Sequence, residues 1–394
     1  MAYRWITLLV TAALGTVLIA PAMAQSPVPA KETALLSIAT KVAVLENVSN
    51  DTYFWITDYK VLFFRQAPLP ISNAEKKKLS RRHPLPKDFL PPYFKLYAYD
   101  TQTSKLLPID LFNTKYAPTL LGDETEGYDD EDGRDPTIIY RIPSCMLSPD
   151  GQWFVWYSTN LLQALRDKAH KFNIGWTTAK LDGTGAEFWT FPHNLSDSGP
   201  PVWERDNRHW LEVYESYVRK VARFSNATIY DLSAPAIPRE ITMDSPENGL
   251  VEGVDSDGSV LVVDLDFRHD NIPPKIEQFD LSGASATRKV FAVQPPVGYQ
   301  SESDVALSPA GDKLAWIFNN KYDIVNADAN GTYILCISDT DGSHMQVIGS
   351  MQGYLAPKTV NHQLYYWPET LRWTPDGKHI SFIFRNALYT VPAP

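Results

Sequence analysis

The stretch that most constrains the fold is Ser148-Pro149-Asp150-Gly151, followed by Gln152-Trp153-Phe154-Val155-Trp156-Tyr157. Proline presets φ at a turn's first central position, aspartate bonds forward to the backbone, and glycine takes the positive φ that ends the turn. The aromatic and β-branched run behind it suits a pleated, buried surface. The unit recurs at Ser308-Pro309-Ala310-Gly311 and at Thr374-Pro375-Asp376-Gly377. Val254-Asp255-Ser256-Asp257-Gly258 keeps the Asp-Gly without the proline, while 203–211 and 56–64 are worn copies. Aligned on the turn, the units fall at 58, 150, 206, 257, 310 and 376. Repeats of about 40–50 residues or slightly more, with four strands each, mark a propeller.

Each unit has a second strand–turn–strand half. Lys95–Asp100 leads to Lys105–Ile109, Ile174–Leu181 to Ala186–Phe191, and Tyr333–Ser338 to Met345–Ile348. The expected fold is all-β: a six-bladed β-propeller of four-stranded antiparallel blades. One domain over 25–394 follows, because each blade buries its faces on its neighbours. The last repeat, 369–394, holds only three strands. An open edge is an aggregation template; residues 35–48 read as a strand, and 38–48 are expected to close the last blade beside Ala387–Val391.

The turns at 148–151, 308–311 and 374–377 resemble those of the TolB-like, WD-repeat-like β-propeller family. The resemblance covers about residues 34–394 and implies a propeller with protein partners in the cell envelope. The family's namesake carries an additional N-terminal α/β domain, for which residues 25–50 are too few. Fold resemblance does not fix activity.

Residues 1–24 read as a secretory signal. Arg4 supplies the positive region, Ile6–Ala20 the apolar one, and Ala22-Met23-Ala24 the cleavage site. The competing reading is a membrane anchor, for which the run is short of the ~18–20 residues a span needs. Periplasmic or secreted localisation is expected. Cys145 and Cys336 fall in blades two and five, so both are expected to be reduced, buried and apart. A net charge of −10 gives no general case for nucleic acid.

Two long connections carry opposite charge. Residues 66–92 hold Lys76, Lys77, Lys78, Arg81 and Arg82; residues 113–137 hold Asp129, Asp130 and Asp132. Solvated loops are the plain account. Partner-binding loops are the sharper one, since connections beyond ~12–15 residues are uncommon unless functional or disordered. In an antiparallel meander both leave on one face, with a short helix expected at 161–169 beside them and only short turns opposite. Asn326-Ala327-Asp328-Ala329-Asn330-Gly331 opens like a calcium loop, but its twelfth position is Ile337 where a glutamate is required. No Gly-x-Ser-x-Gly elbow and no His-x-x-x-His pair occurs. The expectation is therefore a non-catalytic protein-binding propeller without cofactor or metal. The alternative is a propeller lyase or hydrolase acting on a glycan or peptide at the channel mouth. The tryptophans at 153, 156, 316 and 373 are expected to pack between blades, with sugar stacking the alternative.

Overall fold

The computed structural model describes residues 34–44, 48–67, 72, 74, 93–109, 145–159, 174–190, 201–218, 221–234, 238–243, 250–264, 273–299, 301–320, 331–355, 365–366, 368–385 and 387–394. One helical turn, α1 (Leu35–Ile38), precedes β1 (Thr40–Val44). The N-terminal segment is thus not a strand throughout. Leu35 is buried, and the Ser37 hydroxyl donates to the Ala34 carbonyl at 2.6 Å, a local bond that favours a turn.

Six four-stranded antiparallel sheets follow. Blade one is β2 (Val48–Thr57), β3 (Lys60–Ala67), β4 (Tyr93–Asp100) and β5 (Lys105–Ile109). Blade two is β6 (Cys145–Leu147), β7 (Trp153–Thr159), β8 (Ile174–Lys180) and β9 (Glu187–Thr190). Blade three is β10 (Val202–Trp203), β11 (His209–Val218), β12 (Val221–Asp231) and β13 (Arg239–Thr242). Blade four is β14 (Leu250–Val254), β15 (Val260–Asp264), β16 (Lys275–Asp280) and β17 (Thr287–Ala292). Blade five is β18 (Ser301–Leu307), β19 (Lys313–Asn319), β20 (Thr332–Asp339) and β21 (Gln346–Gln352). A small hairpin, β22 (Tyr354–Leu355) and β23 (Tyr365–Tyr366), leads to blade six: β24 (Glu369–Trp373), β25 (His379–Phe384) and β26 (Ala387–Pro392).

The fourth strand of blade six is β1. It runs antiparallel to β26, from Thr40 opposite Thr390 to Val44 opposite Ala387. The ring is therefore closed by the two ends of the described chain, with β1 supplying the outer strand that blade six otherwise lacks.

Burial follows position in the blade. The second strands are buried on both faces against neighbouring blades, as in Leu314–Phe318 and in Ile380–Phe384, where Ser381 is the one polar residue. The outer strand β17 is largely exposed. Cys145 and Cys336 are both free and buried, in separate clusters. Trp156, Trp316 and Trp373 are buried between blades, whereas Trp153 is half-buried beneath the Lys180 ammonium.

The turns repeat in atomic detail. The Ser148 hydroxyl donates to Asp150 Oδ1 at 2.6 Å and accepts the Trp153 N–H at 2.9 Å. Thr374 does the same with Asp376 and His379, at 2.7 and 3.1 Å. In blade five the aspartate has moved: Ala310 leaves the role empty, and Ser308 donates instead to Asp312 at 2.9 Å. Turns also bridge blades. The Asp150 N–H donates to Asn207 Oδ1 at 2.8 Å, and the Asp376 N–H to Asp58 Oδ1 at 2.9 Å.

Candidate functional site

The inner strands converge on a cavity of about 210 Å³ at the centre of the ring. Each contributes near its turn end: Trp55, Leu147, Trp203, Val254, Leu307 and Trp373. Pro149, Pro309 and Pro375 form part of the rim, so the cavity opens on the face of the short turns. Its position is fixed by inter-blade bonds. The Trp203 indole N–H donates to the Met146 carbonyl at 3.2 Å, and the Trp373 N–H to the Ala306 carbonyl at 3.0 Å. Both tryptophans end an inner strand, and both acceptors lie two residues before the serine of the preceding blade's turn.

The seam between blades six and one is buried, with a small polar network set in an apolar cluster that includes Ala43, Val61, Phe63, Ile383 and Leu388. The Ser381 hydroxyl accepts the Trp55 indole N–H at 2.8 Å, lies 2.7 Å from the Tyr53 hydroxyl and 3.0 Å from the Arg372 carbonyl. Tyr53 also donates to the Thr370 carbonyl at 2.9 Å. Burial pushes the Tyr53 phenol far above its ordinary value, so it stays neutral and available as a donor.

Three charged residues line the cavity: Arg205, Glu252 and Arg372. Arg372 follows a bulge in β24, where the pairing with β25 shifts between Glu369 and Arg372 and Thr370 takes φ +57°. A β-branched residue at positive φ is uncommon and needs support from its surroundings. That support is Asp304 of blade five. Its carboxylate accepts the Leu371 N–H at 2.8 Å and its neighbour Val305's N–H at 2.9 Å. Burial raises the Asp304 carboxyl to about 6, against the lowering effect of these N–H groups and of Arg372.

One other side-chain cluster stands out among the described residues. Glu204, Asp206 and His209 offer ligand atoms within 4.8 Å of one another. They are blade three's worn copy of the repeated turn. Asp206 Oδ1 accepts the N–H groups of Arg208 and His209 at 2.9 Å each, as the turn aspartates do elsewhere, and His209 Nδ1 bonds Asp206 Oδ2. Burial raises Asp206, but these bonds outweigh it and leave the carboxyl below its ordinary value. The cluster is explained by turn chemistry and offers no separate sign of a metal.

The sequence-predicted site residues Lys76, Lys77, Lys78, Arg81, Arg82, Asp129, Asp130 and Asp132 lie outside the described residues, as do the expected helix 161–169 and residues 326–330 of the loop that opens like a calcium site. The strand ends that flank the two charged connections, Ala67 and Tyr93, Ile109 and Cys145, share one face through the antiparallel order of β3 to β6. The central hairpin of blade three, β11–β12, rises on that face too and pairs continuously from His209–Asp231 to Val218–Val221 around one bulge. The cavity is on the opposite face, and sequence reasoning missed it. One signal for it was present: an arginine immediately before Trp373, inside an otherwise buried inner-strand pattern.

Fold and cavity together define a closed six-bladed β-propeller. No family model matches the chain, and no curated protein matches its sequence. Solved structures similar to it include TolB from Acinetobacter baumannii, at 14% identity and a TM-score of 0.40, over 76% of this chain and 60% of that one. The chain thus spans less than two thirds of that TolB. An oligogalacturonate lyase from Vibrio parahaemolyticus is similar at 12% identity and a TM-score of 0.46, over 92% and 96% of the two chains. An oligogalacturonate lyase in complex with manganese is similar at 13% and 0.42, over 92% and 95%.

Proposed function

We propose that this chain is a non-catalytic protein-binding propeller of the periplasm or extracellular space, which engages its partner through the charged connections 66–92 and 113–137. The supporting observation is the strand order of blades one and two. It brings the anchoring ends of both connections to one face of a rigid ring. Loops on such scaffolds are where binding concentrates. Opposite charges of exposed loops attract weakly, about 0–1 kcal/mol per pair, and are screened by salt. A partner that competes for either loop then binds in a salt-sensitive way.

The test is capture of a partner from cell-envelope extract by the chain lacking residues 1–24. Lys76, Lys77 and Lys78 are reversed to glutamate in one variant, and 124–134 deleted in another. Loss of salt-sensitive capture in both supports the reading. Capture that survives both changes but fails when the short turns are altered sinks it.

A further inference from the structure

We propose that the central cavity binds the carboxylate of an apolar acid, with the Arg372 guanidinium as its anchor and Arg205 at the rim. This site lies on the face opposite the charged connections and does not depend on the reading above.

The Arg372 guanidinium stands 5.0 Å over the Phe54 ring. Its Nε is buried and has no hydrogen-bond acceptor among the described residues. The Nε is itself closed off from the cavity, so a ligand there meets the terminal N–H groups of Arg372, which lines the wall. Guanidinium is planar and presents paired N–H groups, the geometry that a carboxylate accepts with two parallel bonds.

The charges around it leave that role open. Asp304 is the nearby acid and interacts with the Arg372 charge, but its oxygens are held by the Val305 and Leu371 N–H groups, and among the described residues no hydrogen bond joins it to the guanidinium. It props the bulge that aims Arg372 and acts as a positioning residue. Glu252 shares the wall, so two arginines face one carboxylate among the lining side chains. No histidine lines the cavity. The wall is about half polar, with the Ser148 and Ser308 hydroxyls beside the charged groups; its apolar half, with Phe54, Leu147, Val202 and Leu307, suits a short hydrocarbon or aromatic body. At about 210 Å³ the space is below the roughly 300–1,000 Å³ of drug-sized pockets. It fits a short acid or one terminal residue of a peptide.

Trp55, Trp203 and Trp373 line the cavity, so tryptophan fluorescence reports occupancy. The full chain is titrated with hexanoate, N-acetylphenylalanine, N-acetylphenylalaninamide and hexylamine. At least one acid is expected to bind saturably, and the amide and amine at least tenfold more weakly. Comparable binding of both acids indicates a free small acid; preference for N-acetylphenylalanine indicates a chain end. Arg372→Met is expected to weaken the acids tenfold or more, with Arg372→Lys between the two. Amide or amine binding as tight as the acids, no saturable binding by either acid, or an unchanged affinity in a folded Arg372→Met chain overturns the proposal. The acid–amide comparison on the unaltered chain decides the matter even where a variant does not fold.

Discussion

The buried seam that closes the ring makes an unequal pair of predictions. Ser381 and Tyr53 each contribute one hydroxyl with one proton, but only Ser381 also accepts the Trp55 indole N–H. Trp55 has one indole N–H, and its acceptor is Ser381 Oγ at 2.8 Å. In Ser381→Ala that donor is left buried and unpaired, while Tyr53 can still donate to the Thr370 carbonyl. Tyr53→Phe is milder. Trp55 still donates to Ser381, Ser381 still donates to the Arg372 carbonyl, and only the Thr370 carbonyl loses a donor. Leaving a buried donor unsatisfied costs about 1–3 kcal/mol, whereas losing one ordinary bond costs roughly 0.5–1.5 kcal/mol. Ser381→Ala is therefore expected to destabilise by about 2 kcal/mol and Tyr53→Phe by about 1 kcal/mol. Because the hydroxyls touch, the double variant should depart from the sum by about 0.5 kcal/mol or more. Urea unfolding with unchanged m-values is the assay, since a midpoint shift at constant m reports stability. If Tyr53→Phe proves as damaging as Ser381→Ala, the proton assignment at this seam is wrong.

Gly311 and Gly377 both sit at φ +69°, but their surroundings differ. A Cβ at Gly377 meets nothing within 4 Å, so Gly377→Ala should cost about 1–2 kcal/mol from backbone strain. A Cβ at Gly311 would stand 2.7 Å from the Ser256 nitrogen, so Gly311→Ala should unfold at clearly lower urea than Gly377→Ala; equal midpoints would contradict this. Burial raises both cysteine thiols, and a thiol reagent should find neither in the native chain and both after denaturation. Asp304 gives a pH signature. Its folded value is raised from 3.8 to about 6, so between these values the folded state holds a proton that the unfolded state has lost. The stability it contributes is full below the unfolded value and is lost as pH rises through about 6, and Asp304→Asn should flatten that slope in unfolding measured from pH 4 to 7.

The blades were legible because their cue is local. A proline, an aspartate and a glycine in four positions fix a turn, and the strands on either side carry the apolar run. Closure was legible by counting, since three strands at the C-terminal end require a fourth. The helical turn at Leu35–Ile38 was not, because four residues with two leucines and an isoleucine suit either state and Ser37 decides locally. Nor was the cavity. Arg205, Glu252 and Arg372 belong to three separate repeats and share no spacing, and only ring closure brings them to one wall. The full length of β11–β12 was hidden because tyrosines and glutamates alternate with apolar residues there, a pattern that continues past the edge of an ordinary blade.

Pairing Thr40 with Thr390 also sets a clock. A chain is made from its N-terminus at about 5–20 residues per second, so β1 is complete on the order of 20–70 seconds before its partner strand exists. During that wait the finished blades form an open arc, with an apolar flank at each end of the series. The seam that joins those ends demands the longest loop closure in the molecule, and contacts of such separation form slowly. Folding of this chain is thus timed by its last strand. The hazard it must survive is the interval in which five blades stand ready and the sixth has nothing to close with.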